Sequence, residues 1–187
     1  MQLLKDKNSQ QVNKVTTWAK VYAVYFLVGI WLTIKEMNIY AKTLIPLYIP
    51  LSIWILTGLL VTLLSFKFIN EKVFTDPHST FVLVFVQTIA NICGAGGLII
   101  YLFMLINFTF CKPETVTKTC TINSFYHTRY GYSSINHSGY AGLVIDGMDK
   151  QILFSSDVQI KDYKAVQLTM SKGFFGFDVI KNKEWLK

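Results

Sequence analysis

STFVLVFVQTIANICGAGGLIIYLFMLINFTF, Ser79–Phe110, contains no charged residue. As a helix it runs roughly 48 Å, at about 1.5 Å per residue. The hydrocarbon core of a bilayer is about 30 Å thick. Such a segment belongs in lipid or deep inside a membrane bundle. It is too short for two spans and longer than one requires. Either it tilts and projects, or Gly94-Ala95-Gly96-Gly97 breaks it midway.

Upstream, Leu44–Phe66 is a second uncharged run, with Pro46 and Pro50 in its first turns, where a missing N–H costs least. Lys67 and Lys72 close it. Between the two runs, Asp76-Pro77 reads as a helix start, with Asp at the N-cap and Pro at N1. Further upstream, Val21–Ile34 is apolar and is bounded by Lys35 and Glu36. Counted from Thr16, with Lys20 snorkelling, it reaches spanning length. A signal peptide has a similar pattern, but no small-x-small cleavage site follows, so a retained anchor is the preferred reading.

The sequence therefore predicts a basic segment over 1–20, a membrane domain over 21–110 and a small β domain over 111–187. The spans fall at about 16–34, 44–66 and 79–110. With the N-terminus inside, the inner flanks carry Lys5, Lys7, Lys14, Lys20, Lys67 and Lys72. The outer flanks carry Lys35, Lys42, Lys112 and Lys118. This positive-inside bias predicts a multi-pass protein of a plasma or bacterial inner membrane with its C-terminal domain extracytoplasmic. The net charge of +7 is spread along the chain, which suits anionic lipid better than a nucleic-acid groove.

Beyond the membrane, strand signals recur. Thr115–Thr128, Tyr140–Ile145, Gln151–Ser155, Ala165–Ser171 and Phe174–Ile180 read as strands. Asp146-Gly147 marks a hairpin, and Ser156–Lys164 reads as a short helix with capping-box spacing. The order β-β-β-α-β-β is that of an OB-like barrel or half-barrel of five strands. Cys111 and Cys120, in the segment Cys-Lys-Pro-Glu-Thr-Val-Thr-Lys-Thr-Cys, are expected to form a disulfide. Such a bridge fits an extracytoplasmic domain.

No catalytic motif stands out. His78, His127 and His137 are scattered, and HExxH, Walker and GxSxG patterns are missing. The chain is expected to be non-enzymatic, with no cofactor and no metal. Two constellations are candidate sites. Gln87 and Asn91, four residues apart, share a helix face; Ala90 and Gly94, also four apart, lie adjacent to it, and Cys93 and Gly97 repeat the small-xxx-small spacing. These residues predict helix packing, within one chain or between copies, or the lining of a pore. Phe125, Tyr126, Arg129, Tyr130 and Tyr132 form an aromatic loop on the usual binding side of an OB-type barrel. The expected function is an assembly or interaction subunit whose β domain binds a partner protein, an identical copy or envelope polymer. The expected partners are membrane lipid and copies of the chain, and not nucleic acid. The alternative is a homo-oligomeric channel or membrane-perturbing effector gated by the β domain.

Overall fold

A computed structural model describes residues 2–73, 77–127, 139–154 and 163–187. Helix α1 runs over Gln2–Tyr40, strand β1 over Thr43–Leu44 and helix α2 over Tyr48–Val73. Helix α3, Pro77–Asn91, passes through a π-helical turn, Ile92–Gly96, into α4, Gly97–Thr109. Strands β2 to β6 follow at Thr115–His127, Gly139–Ile145, Met148–Phe154, Ala165–Lys172 and Asp178–Leu186.

Among the described residues two helical stretches are long and apolar enough to cross a membrane, Tyr48–Phe66 and Val84–Thr109. Only 17% of the first is buried within the chain. Its exposed side chains include Leu56, Leu60, Leu63 and Leu64, a surface that suits lipid better than water. The expected span at 16–34 is helical, but it does not meet the same standard. Its apolar core, Val21–Ile34, rises only about 21 Å and is bounded by charge. Neither is the long segment broken at Gly94–Gly97. The π-helical turn inserts one extra residue per turn and lets the helix continue.

The chain divides into two compact units. One comprises residues 1–36 and 48–102, the other 37–47 and 103–187. In the helical unit glycines set the packing. A Cβ on Gly97 would lie 2.7 Å from the carbonyl oxygen of Gly29, and one on Gly58 would lie 2.7 Å from the Ile92 nitrogen. One on Gly96 would lie 2.5 Å from the Trp54 carbonyl. The π-helical turn is therefore held in backbone contact with both α1 and α2, as small residues permit in membrane bundles.

The second unit is a six-stranded antiparallel sheet in the order β1-β6-β5-β2-β3-β4. Strand β2 is long enough to serve two partners. Its first part, Thr115–Thr121, pairs with β5, and its second, from Ile122, pairs with β3 across an irregularity at Ile122/Ser124. Leu44 from β1 and Ile152 from β4, near opposite edges of the sheet, pack in one core with Cys120, Leu143, Ile145, Val166, Leu168 and Met170. Residues from the two edges share a core only when the sheet curls, so the architecture is a near-barrel. The Lys183 ammonium on β6 also donates to the Leu153 carbonyl on β4.

Three expectations change here. The sheet has six strands, not five, because the connection between α1 and α2 contributes β1, paired as Thr43↔Val179 and Leu44↔Asp178. Leu44 and Pro46 consequently lie ahead of the second helix, which starts at Tyr48. The Cys111–Cys120 disulfide does not form, and both residues are free thiols. Thr115 to Cys120 are in continuous ladder register with β5. That path alone covers about 17 Å at about 3.3 Å per residue, against a Cα separation under about 7 Å for a bridge. The cysteine argument for an extracytoplasmic domain falls with it. The hairpin at Asp146-Gly147 is present as a two-residue turn, with both residues at positive φ, 50° and 78°, the type I′ geometry that Asp-Gly favours. The helix expected over Ser156–Lys164 lies mostly outside the described residues.

Candidate functional site

The helical unit contains a polar seam. Gln87 and Asn91 are 7% and 4% exposed, and their four-residue spacing on α3 puts both towards α2. Gln87 Nε2 donates to Ser65 Oγ at 2.7 Å, and Asn91 Nδ2 donates to Thr62 Oγ1 at 3.1 Å. Each hydroxyl is already oriented by its own helix: Thr62 donates to the Gly58 carbonyl and Ser65 to the Val61 carbonyl. That leaves their lone pairs for the amides. The Tyr25 hydroxyl on α1 donates to Asn91 Oδ1 at 3.5 Å. The seam thus links three helical segments through one side chain, Asn91. Gly94, the next residue on that face, lies against the Tyr25 ring, and Gly97 lies against Gly29 and Thr33 of α1. The four residues singled out on this helix all face other parts of the same chain.

Asn91→Leu is expected to destabilise the helical unit more than Gln87→Leu. Asn91 serves Thr62 and Tyr25, Gln87 only Ser65. Interhelical hydrogen bonds in membranes are worth about 0.6–2 kcal/mol each. Unfolding in mixed micelles, followed by far-UV circular dichroism, would rank the two variants; equal losses would contradict the bridging role of Asn91.

The sheet unit has two further polar anchors. Lys150 on β4 is 8% exposed, yet its ammonium donates to the carbonyls of Tyr40 and Thr43, each at 2.7 Å. It also lies 4.0 Å from the centre of the Tyr40 ring. These acceptors are at and just beyond the C-terminus of α1, where carbonyls lack helical partners. Asn107, fully buried near the end of α4, donates to the Phe177 carbonyl at 3.3 Å and accepts from the Phe175 N–H at 3.0 Å. A groove of about 250 Å³ beside this corner is lined by Lys112, Glu114, Val116, Lys118, Met170, Lys172 and Asp178. Lys118 is engaged there with Asp146 at 2.6 Å.

Of the expected aromatic binding loop, Arg129, Tyr130 and Tyr132 lie outside the described residues. Tyr126 is in β2, opposite Tyr140. Phe125 lies opposite Ala141 near the end of β2 and is exposed. Tyr140 and Leu153 form an outward cross-strand pair on the same end of the sheet, and both are exposed. Among the described residues no three His, Cys, Asp or Glu side chains converge as metal ligands would.

The free thiols differ. A hydrogen bond from Lys181, aided by Ser171, holds the Cys111 thiol below the ordinary range, whereas burial pushes Cys120 up. Cys111 therefore carries more thiolate near neutral pH. Maleimide or iodoacetamide should label Cys111 first, with its onset at lower pH than Cys120. Lys181→Met should move that onset upward, and an unchanged onset would remove Lys181 as the cause.

The chain matches no protein-family model, no curated protein and no solved structure.

Proposed function

We propose that this chain is an integral membrane interaction subunit, anchored by its helices, whose OB-like β domain binds a partner protein, an identical copy or envelope polymer. The observation that carries the reading is the pairing of Gln87 and Asn91 with Ser65 and Thr62. Amides are costly in hydrocarbon unless bonded. Here they are satisfied within one chain, as an anchor requires, whereas a pore lining would leave them towards water. The strand order supports the OB-like assignment, because β2 is shared between a β2-β3-β4 meander and the β5-β6 hairpin. The partner face is the outer side of the sheet end that holds the exposed cross-strand pair Tyr140 and Leu153. With 16–34 read as a third span, the Lys distribution favours an extracytoplasmic position for this face.

A photoreactive p-benzoylphenylalanine at Tyr140, irradiated in the native membrane, is expected to give a discrete adduct with protein or polymer. Absence of an adduct at Tyr140 and Leu153, together with stable single-channel currents from purified protein in planar bilayers, would replace this reading with the channel. Reporter fusions at the two chain ends test the orientation; both ends on one side would overturn it.

A further inference from the structure

The tip of the β5–β6 hairpin is unusually apolar for a turn. Phe174 and Phe175 occupy it, 64% and 42% exposed, and Phe110 just beyond α4 is 65% exposed. The three rings form one group: Phe174 is edge-on to both Phe110 and Phe175, at 6.5 and 5.1 Å. Phe175 in turn stacks on Phe103 of α4, with centroids 4.5 Å apart, and Phe177 packs edge-on against the same ring. The hairpin is fixed in this position. Asn107 bonds to the backbone of Phe175 and Phe177, and Gly173 lies directly against the Asn107 amide with no room for a side chain.

The level of Phe103 decides what these rings meet. The apolar stretch Val84–Thr109 has 26 residues, about 39 Å of helix. This exceeds the hydrocarbon thickness of about 30 Å by at least six residues, and the uncharged run continues upstream to Ser79. Side-chain chemistry, not length, marks the projecting end as the last two turns of α4, the part the hairpin clothes. Asn107 lies in those turns, and the hairpin backbone satisfies its amide where lipid would not. Three lysines mark the same level. Lys112 donates its backbone N–H to the Lys172 carbonyl at 2.8 Å, which brings both residues beside the tip. The Lys181 ammonium lies 5.2 Å from the centre of the Phe108 ring. Aromatic rings at the hydrocarbon edge with lysines just outside are the pattern of a membrane–water interface.

We propose that Phe174 and Phe175 form a membrane wedge, with the β5–β6 hairpin tip inserted at the headgroup–acyl boundary of the bilayer beside the end of α4. The occupant of this apolar patch is phospholipid, because Phe175 stacks on Phe103 in the last two turns of an apolar helix long enough to cross a bilayer. The proposal rests on the reading of Val84–Thr109 as a membrane span. The wedge acts as a second foot for the β domain, fixing its tilt and its distance from the membrane.

The experiment uses the full chain in phospholipid nanodiscs, with p-benzoylphenylalanine placed singly at Leu63, Phe174 or Leu153. Leu63 is 72% exposed on α2 and reports the span. Leu153 is exposed but sits at the far end of the sheet, level with Tyr126, whereas the hairpin is level with Thr115. All three positions are at the surface, so the larger ring is accommodated, and unchanged circular dichroism confirms it. After irradiation, mass spectrometry is expected to find lipid adducts at Leu63 and Phe174 and none at Leu153. Lipid at Leu63 but not at Phe174 would overturn the wedge and leave the span standing. No lipid at Leu63 would overturn the span itself. Lipid at all three positions would show a sheet lying flat on the surface, and protein at Phe174 a second copy; either result removes the wedge.

Discussion

Lys150→Met is expected to lower the stability of the sheet unit by about 3–6 kcal/mol, from two hydrogen bonds to a charged donor at about 1.5–3 kcal/mol each. Methionine keeps most of the stem and its packing, so the loss falls on the ammonium. The carbonyls of Tyr40 and Thr43 would stay buried without their donor, and an unpaired buried acceptor bears its full desolvation cost. Arg would not rescue the change, because its planar fork needs more room than a point-like ammonium in this site. The effect should be cooperative. Thr43 is in β1, which completes the sheet beside β6, so freeing the end of α1 also releases an edge strand. Urea unfolding followed by far-UV circular dichroism, with hydrogen exchange at Ile180, whose N–H bonds to the Lys42 carbonyl, would test it. A loss under about 1 kcal/mol, typical of a surface site, would show that Lys150 is not the clasp.

Lys150 also shows where the sequence could have been read further. Met148 and Ile152 share its parity in β4 and both join the core, so period-two alternation alone turns Lys150 inward. What alternation does not give is the partner, because the acceptors are backbone carbonyls about 110 residues earlier in the chain. The charge-free run was legible because hydrocarbon admits few other residues. Asp146-Gly147 was legible because Asp-Gly favours the positive φ at both positions that a type I′ turn requires. Strand β1 was not, since two residues have no periodicity and their strand character comes from β6. The cysteine pair misled for the opposite reason. A nine-residue step says how much chain lies between two thiols, not that the chain runs extended. Thr62 and Ser65 carry no signal of their own in an apolar helix. A hydroxyl on such a helix reveals its role only when the facing amides are placed against it. The glycine run offered packing or breakage as alternatives, and the π-helical turn supplies the packing without the break.

The second large effect is expected at Gly29, and it separates two kinds of tight glycine. A Cβ there would meet the Cys93 carbonyl oxygen and lie 2.5 Å from the Gly94 Cα. Both obstacles are backbone in the π-helical turn, so no rotamer change relieves them. Gly29→Ala must push α1 away from that turn, which also opens the Gly97 contact to the Gly29 carbonyl and stretches the bond from Tyr25 to Asn91. At Gly94 the obstacle is the outer end of the Tyr25 ring, which is free to swing aside at the cost of that same hydrogen bond. Overpacking that side chains absorb costs about 1–3 kcal/mol. Gly94→Ala should fall in this range, and Gly29→Ala should exceed it. Unfolding of both variants in mixed micelles, read by circular dichroism, gives the ranking. If Gly94→Ala proves the more damaging, backbone contact between α1 and the π-helical turn does not hold the bundle together, and the hydrogen bonds of Asn91 do.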